Sequence, residues 1–348
     1  MITTDDLKYL IFDFCLTHIG KRIVMVSVLI SSMLFIPYAL ADAGCTATTS
    51  SGQISFGQVS SLNIRNSQQS ASTKDMGLNC GGGILSLLSV TGKISAHITT
   101  SNTAVLKNQL GDSMPYSMYM TPDYQYQIQP NTTVDYYNGT ILGLLGLGNS
   151  NSVSIPLYLR TNSGTFNLRA GTYTDTITVN WDWKVCKGVS ILFICLGYSQ
   201  GQATWVGHVS LNVQNDCMIN APDINFGSVP LTSSFNPVSQ TISIYCTKGT
   251  SYSVGLSNGS NVSGNQRRLA YNGHYLNYEI YQGSTSNLRW GTSGSERRFS
   301  ANADINPGVG SGSNSLIQGF IYQAIILPGQ ATPPAGTYTD RIILDISF

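Results

Sequence analysis

Gly171-Thr172-Tyr173-Thr174-Asp175 recurs later in the chain as Gly336-Thr337-Tyr338-Thr339-Asp340. An alternating stretch follows each copy, with Ile177 and Val179 after the first and Ile342 and Leu344 after the second. Upstream, Cys45 and Ile54-Ser55-Phe56-Gly57 recur as Cys217 and Ile224-Asn225-Phe226-Gly227. A further cysteine follows in each copy, Cys80 or Cys246. Landmarks repeated in one order mark a duplication. It predicts two domains, residues 42–214 and 215–348.

Each copy consists of short runs with period-2 alternation, parted by Gly, Asn, Pro and Ser. That pattern predicts an all-β chain of two Ig-like antiparallel β-sandwiches in tandem. Apolar residues make up 42% of the 348, enough for two cores. Charged residues make up 10%, against about 25% in ordinary domains, with 18 basic and 17 acidic side chains. So balanced a chain has no field to draw nucleic acid or an anionic membrane. The composition suits a secreted protein.

Residues 1–41 read as an N-terminal extension and signal peptide. Lys21 and Arg22 precede an apolar run from Ile23 to Ile36, shorter than the roughly 20 residues of a membrane span. Ala39-Leu40-Ala41 offers a cleavage site; the alternative is an uncleaved anchor. Cleavage there removes Cys15 and leaves Cys45, Cys80, Cys186, Cys195, Cys217 and Cys246. An even number after export reads as disulfides. Sequence neighbours are the expected pairs: Cys45 with Cys80, Cys186 with Cys195, Cys217 with Cys246. Zinc is the alternative, but no C-x₂-C pair exists and the four histidines are scattered.

The paired cysteines, the Phe-Gly after the first and the Ala-Gly-Thr-Tyr-Thr-Asp strand resemble spore-coat-protein-U-like domains. Two such domains behind a signal peptide resemble the tip adhesin of archaic chaperone–usher pili, over nearly all of the mature chain. The resemblance implies export through the periplasm to the pilus tip at the cell surface. It implies a periplasmic chaperone, an outer-membrane usher and a neighbouring pilin as partners, and no cofactor. It also implies attachment to an abiotic or host surface, supporting biofilm formation.

The second domain reads as one strand short. Its last strand alternates Ile342, Leu344, Ile346 and Phe348, and the chain stops there. The first domain instead runs on through Trp181, Trp183 and Val185 and returns through Trp205, Val209, Leu211 and Val213, a strand able to complete its own sandwich. A missing strand leaves an unpaired edge and an open core groove; the alternative is that the domain completes itself with its own N-terminal segment. Filling the groove with four or five apolar side chains is worth about 6–15 kcal/mol. The resemblance implies that the filler is a donor strand from the chaperone and then from the next pilin, with Ile342, Leu344, Ile346 and Phe348 as the groove edge. Only Asp42-Ala43-Gly44 precede Cys45 after cleavage, so nothing is left to donate and the subunit is expected at a fibre end.

Three apolar stretches sit where loops are ordinarily polar. They are Ile84, Leu85, Leu87 and Leu88; Ile141, Leu142, Leu144, Leu145 and Leu147; and Val189, Ile191, Leu192, Phe193 and Ile194. Gly or Cys punctuates each, as in hairpin tips. Counted back from the repeat, the second stretch faces the polar Asn306–Ser313 of the other copy. The first is an insertion, since Lys93–Ile98 aligns with Ser251–Leu256. The third lies in a hairpin the second copy lacks. The fold does not require them, so they are expected to be exposed loops that grip a nonpolar surface, as in the adhesins the chain resembles. The alternative is burial as core strands.

Tyr116, Tyr119, Tyr124, Tyr126, Tyr136 and Tyr137 offer stacking and hydrogen bonding for a sugar, with plain packing as the alternative. Arg267, Arg268, Arg297 and Arg298 are expected on a solvated or chaperone-facing surface. No G-x-S-x-G, H-E-x-x-H or P-loop motif is present, so no enzyme and no metal site is expected. The rival readings are a structural pilus or coat subunit, whose loops pack on neighbouring subunits, and a lectin-like adhesin for a host glycan.

Overall fold

The strand Gly171–Lys187 organises the first half of the chain. Its alternation is that of a β-strand with one wet face: Tyr173, Asp175, Ile177, Val179, Trp181, Trp183 and Val185 are all buried. The computed structural model describes residues 44–73, 76–79, 85–86, 92–137, 152–187, 190–191, 194–195, 197–312 and 316–348. The expected signal sequence lies outside them. Among the described residues all regular structure is strand apart from short 3₁₀ turns.

Two apolar cores form. One gathers side chains between Cys45 and Val213, the other between Cys217 and Ile346. In the first, Gly171–Lys187 pairs antiparallel with the return strand Tyr198–Gln214, from Gly171 opposite Val213 to Cys186 opposite Tyr198. The return strand's other edge runs parallel to Ser51–Ser60. On the far side, Gly171–Lys187 pairs with Lys93–Thr100, which pairs with Thr132–Asp135. The opposing layer holds Ser113–Tyr119, Tyr158–Thr161 and Ser70–Ser72. In the second core, a five-stranded sheet from Cys217–Asn220 to Arg267–Tyr271 packs against Arg298–Phe299, Ser253–Leu256 and Leu344–Ser347.

The duplication is visible atom by atom. Asp182 pairs with Ser95 and Trp181 with Ala96 in one copy; Ser347 pairs with Ser253 and Ile346 with Val254 in the other. That is the register the Lys93–Ile98 and Ser251–Leu256 alignment requires. Gly57 and Gly227 both sit at positive φ, +80° and +81°. Their N–H groups donate to Ser55 Oγ and Asn225 Oδ1 at 3.0 and 2.8 Å. The repeat tyrosines each donate four residues back, Tyr173 to Arg169 O at 2.8 Å and Tyr338 to Pro334 O at 2.9 Å. The repeat aspartates each accept from a buried tyrosine of the opposing layer, Asp175 from Tyr116 at 3.0 Å and Asp340 from Tyr278 at 2.7 Å.

Two of the four expected surface arginines are interior. Arg267 is fully buried and paired with Glu279, and it donates to the carbonyls of Leu256, Ser257 and Trp290. Arg298 is buried beside Trp290 and Phe320, bonded to Asp304 and to Ile321 O. Burial pulls the Arg267 guanidinium's pKa down, against the opposite pull of Glu279. A buried charge is tolerated because every direction it points in offers an acceptor. Arg268 and Arg297 stay half-exposed, so the expectation of a solvated basic face fails for one arginine of each pair.

Candidate functional site

The second core is open along one side. A groove of about 680 Å³ runs between Ala221–Ser228 and Gly336–Ile342. Ile224 and Phe226 line one wall, Ile342 and Leu344 the other, with Ile242, Ile280 and Tyr322 beneath. Neither wall is continuous strand. Residues 221–228 belong to no strand, and regular pairing of the repeat segment starts only at Leu344.

The first domain provides the filled counterpart. Its Ile54 and Phe56 are 1% and 6% exposed, and Ile177 and Val179 are fully buried. Their equivalents Ile224, Phe226, Ile342 and Leu344 only partly pack on the second core. The difference is the return strand. Trp205, Val209, Leu211 and Val213, each at most 2% exposed, fill the space left open in the other copy. Gly207 belongs to the same inward row, because a Cβ there would stand 2.4 Å from Trp205 Cη2.

Of the expected groove-edge residues, Ile342 and Leu344 line the groove. Ile346 packs on the core opposite Val254. Phe348 is exposed beside Phe299 and Val309 in a separate shallow depression. The opposite wall was legible only as the Phe-Gly landmark of the duplication. At the groove rim, Tyr278 donates to Asp340, whose other oxygen accepts the N–H groups of Ser260 and Asn261 at 2.9 and 3.1 Å. Burial, with the Asp340 hydrogen bond and charge, raises the Tyr278 hydroxyl pKa well above its usual value. The group acts as a fixed donor.

The apolar stretches fall largely outside the described residues. Ile84, Leu87, Leu88, Ile141, Leu142, Leu144, Leu145, Leu147, Val189, Leu192 and Phe193 all lie outside them. Leu85 belongs to a two-residue strand with Lys187 as its partner. Ile191 pairs with Ile194 in a short hairpin. The described flanks converge at one end of the first domain. Asn79, before the first stretch, pairs with Ser152, after the second. Gly92, after the first, lies under the ring of Tyr137, before the second, where a Cβ would stand 1.9 Å from Cζ. Cys186 and Tyr198 bracket the third. The opposite end of the same long hairpin meets the second domain, where Lys248 and Arg169 bond Asp112 at 2.7 and 2.9 Å.

Cys217 and Cys246 are disulfide-bonded and directly cross-strand. Cys45 and Cys186 are also in disulfides. Thr46 and Asn79, the neighbours of Cys45 and Cys80, oppose each other. Tyr116 and Tyr136 are buried, while Tyr126 is exposed and Tyr119, Tyr124 and Tyr137 are half-buried. Among the described residues no cluster of His, Cys, Asp or Glu is arranged to hold a metal.

The Spore Coat Protein U domain matches the chain twice, at residues 32–180 and 203–345. No curated protein matches the sequence. The structure is similar to the tip adhesion subunit of the archaic chaperone–usher Csu pili of Acinetobacter baumannii, solved in a pre-assembly complex with its chaperone. That likeness has 25% identity and a TM-score of 0.59, and covers 87% of this chain and all of that one. The CupB6 tip adhesin of Pseudomonas aeruginosa, at 10% identity and a TM-score of 0.31, covers 87% of this chain and 94% of its own. The CooA pilin subunit of enterotoxigenic Escherichia coli, at 14% and 0.27, covers 49% of this chain and 99% of its own. These two likenesses are too distant to carry a functional argument. With both sandwiches matched, the chain belongs to the Spore Coat Protein U domain family and carries two copies of that domain.

Proposed function

We propose that this chain is the tip adhesin of an archaic chaperone–usher pilus. Residues 42–214 attach to surfaces and residues 215–348 join the fibre by accepting a donor strand. The observation that carries the reading is the groove between Ile224, Phe226, Ile342 and Leu344, set against its filled counterpart in the first domain. The return strand is the template for the occupant. It runs antiparallel to the repeat strand, and its inward side chains oppose Gly171, Tyr173, Asp175, Ile177 and Val179. A donor in the second domain therefore runs antiparallel to residues 336–344 and alternates apolar side chains into the groove. The chaperone supplies that strand before assembly at the usher, and the next pilin supplies it in the fibre.

The three apolar stretches form the attachment surface. Their flanks leave the first domain at the end remote from the second, so a fibre that holds the second domain presents them outward. About fourteen aliphatic and aromatic side chains in one place are a patch that a free surface does not carry without use. They fit abiotic plastics or an apolar host surface, and such contacts start a biofilm.

The test is adhesion of assembled pili to polystyrene, at matched pilus amounts, with Leu85→Thr, Leu145→Thr and Leu192→Thr combined. The expected result is loss of adhesion with fibres intact. Unchanged adhesion overturns the loop reading, and absence of fibres shows that the stretches are core. Ile342→Asp puts a charge in the groove and is expected to abolish incorporation of the subunit. Normal incorporation of that variant overturns the acceptor reading.

A further inference from the structure

The outer face of the opposing layer in the first domain carries a cluster that neither groove nor loops use. Tyr119 and Tyr158 are cross-strand partners there, and Arg160 is the partner of Ser117. The turn after Tyr119 folds back so that Tyr124 meets Tyr119 edge-on, with ring centroids 5.2 Å apart. The Arg160 guanidinium lies 5.0 Å over the Tyr124 ring.

Two features set this cluster apart from ordinary surface packing. Tyr124 has φ +58°, a left-handed backbone that bulky residues rarely adopt and that collects at functional positions. The turn enforces it: Tyr124 N–H donates to Thr121 O at 3.1 Å, and Met120 N–H donates to Tyr126 O at 2.9 Å. Arg160 Nε is shielded from solvent and has no hydrogen-bond partner. Among the described residues no carboxylate pairs with its guanidinium. The guanidinium is a cation held in place over a ring with no counter-charge among the described residues.

Amides flank the cluster. Gln127 Nε2 donates to Ser117 Oγ at 3.3 Å, and Ser117 Oγ donates to Asn162 Oδ1 at 2.8 Å. That relay leaves the Asn162 amino group and the Gln127 carbonyl unused among the described residues. The one acid of the turn, Asp123, already accepts from the Thr121 hydroxyl and from Gln125 N–H.

We propose that this face binds a carboxylate-bearing sugar, a sialate or a uronate. The carboxylate takes the two terminal Nη groups of Arg160 in paired, charge-assisted hydrogen bonds. The C–H face of the sugar ring lies on the tyrosines. The Asn162 amino group and the Gln127 carbonyl meet its hydroxyls. A single cation between aromatic rings and amides suits a ring with one negative charge better than a polyphosphate, which is matched by several cations.

The test uses the purified full chain on immobilised sialyl-, glucuronyl- and galactosyl-terminated oligosaccharides of equal length, at about 0.15 M salt. An acidic terminus is expected to bind at least about tenfold tighter than the neutral one, and the tighter of the two acids identifies the source. Arg160→Gln is expected to erase that preference. Tyr124→Gly, which suits the left-handed backbone and removes the ring, is expected to weaken acid-sugar binding about tenfold. Arg160→Lys keeps the charge but not the fork, so a loss of similar size is expected and guards against a misfolded Gln variant. No sugar binding, equal binding of acidic and neutral sugars, or full binding by Arg160→Lys overturns the proposal. So does equally tight retention of sulfated dextran, because that is charge alone.

Discussion

Single side chains in this protein take their roles from what surrounds them. Arg267 has no exposed surface, and its donors are spent on Glu279 and three carbonyls. Glu279 also accepts from Arg289 at 2.9 Å, and Arg289 reaches Glu296 at 2.7 Å. Removing the centre of such a network takes one of the two cations from Glu279 and leaves three carbonyl acceptors in the interior without the Arg267 donors. Arg267→Ala is therefore expected to cost about 3–5 kcal/mol, read as a lower urea midpoint for the second domain. A loss within about 0.5 kcal/mol, the size of an ordinary surface substitution, would mean that the network is not holding the fold.

At the scale of elements, equivalent strands differ in whether they have a neighbour. Ile177 is fully buried under the return strand, whereas Ile342 lines an open groove. Ile177→Ala is expected to cost about 2–5 kcal/mol, as for any deeply buried isoleucine. Ile342→Ala is expected to cost only about 1–2 kcal/mol in the free subunit, where the side chain is only partly buried. Filling the groove with a donor strand should raise the second cost to the first. Urea unfolding of each variant with and without a donor peptide checks this, and equal losses in both states would count against the acceptor reading. The repeat predicted one strand pattern twice; the structure pairs the first copy's strand with Tyr198–Gln214 and leaves an open groove beside the second.

At the scale of the molecule, the two domains meet through polar groups. Asp112 holds Lys248 and Arg169, Ser61 bonds Thr247 at 2.6 Å, and the Asn167 amide donates to Ser311 O at 2.9 Å. Burial works against the Asp112 charge, but the Lys248 and Arg169 bonds outweigh it and hold its pKa below the usual value. A depressed carboxylate contributes stability that is fully present above the unfolded pKa, about 3.9. It is lost as pH falls through the lower folded value. The joint is expected to hold at pH 5 and to loosen only below the ordinary carboxylate range. Asp112→Asn is expected to weaken it at neutral pH by about 1–2 kcal/mol. Amide exchange at residues 247–250 against pH reads both effects, and loosening already at pH 5 would assign the joint to other groups.

Much of this was legible in one dimension. The duplicated Gly-Thr-Tyr-Thr-Asp, the Phe-Gly turns and the alternating strands fixed an all-β tandem, because side-chain period and turn chemistry are local properties. The same alignment also led to the expectation of an open groove in the second copy, because only the first shows a return strand after its repeat motif. The groove's second wall, the inward turn of Arg267 and Arg298, the joint at Asp112 and the meeting of Tyr119, Tyr124 and Arg160 came only with the tertiary structure. Apart from the local turn that brings Tyr124 to Tyr119, their proximity is set by strand pairing and core packing, which no local pattern encodes.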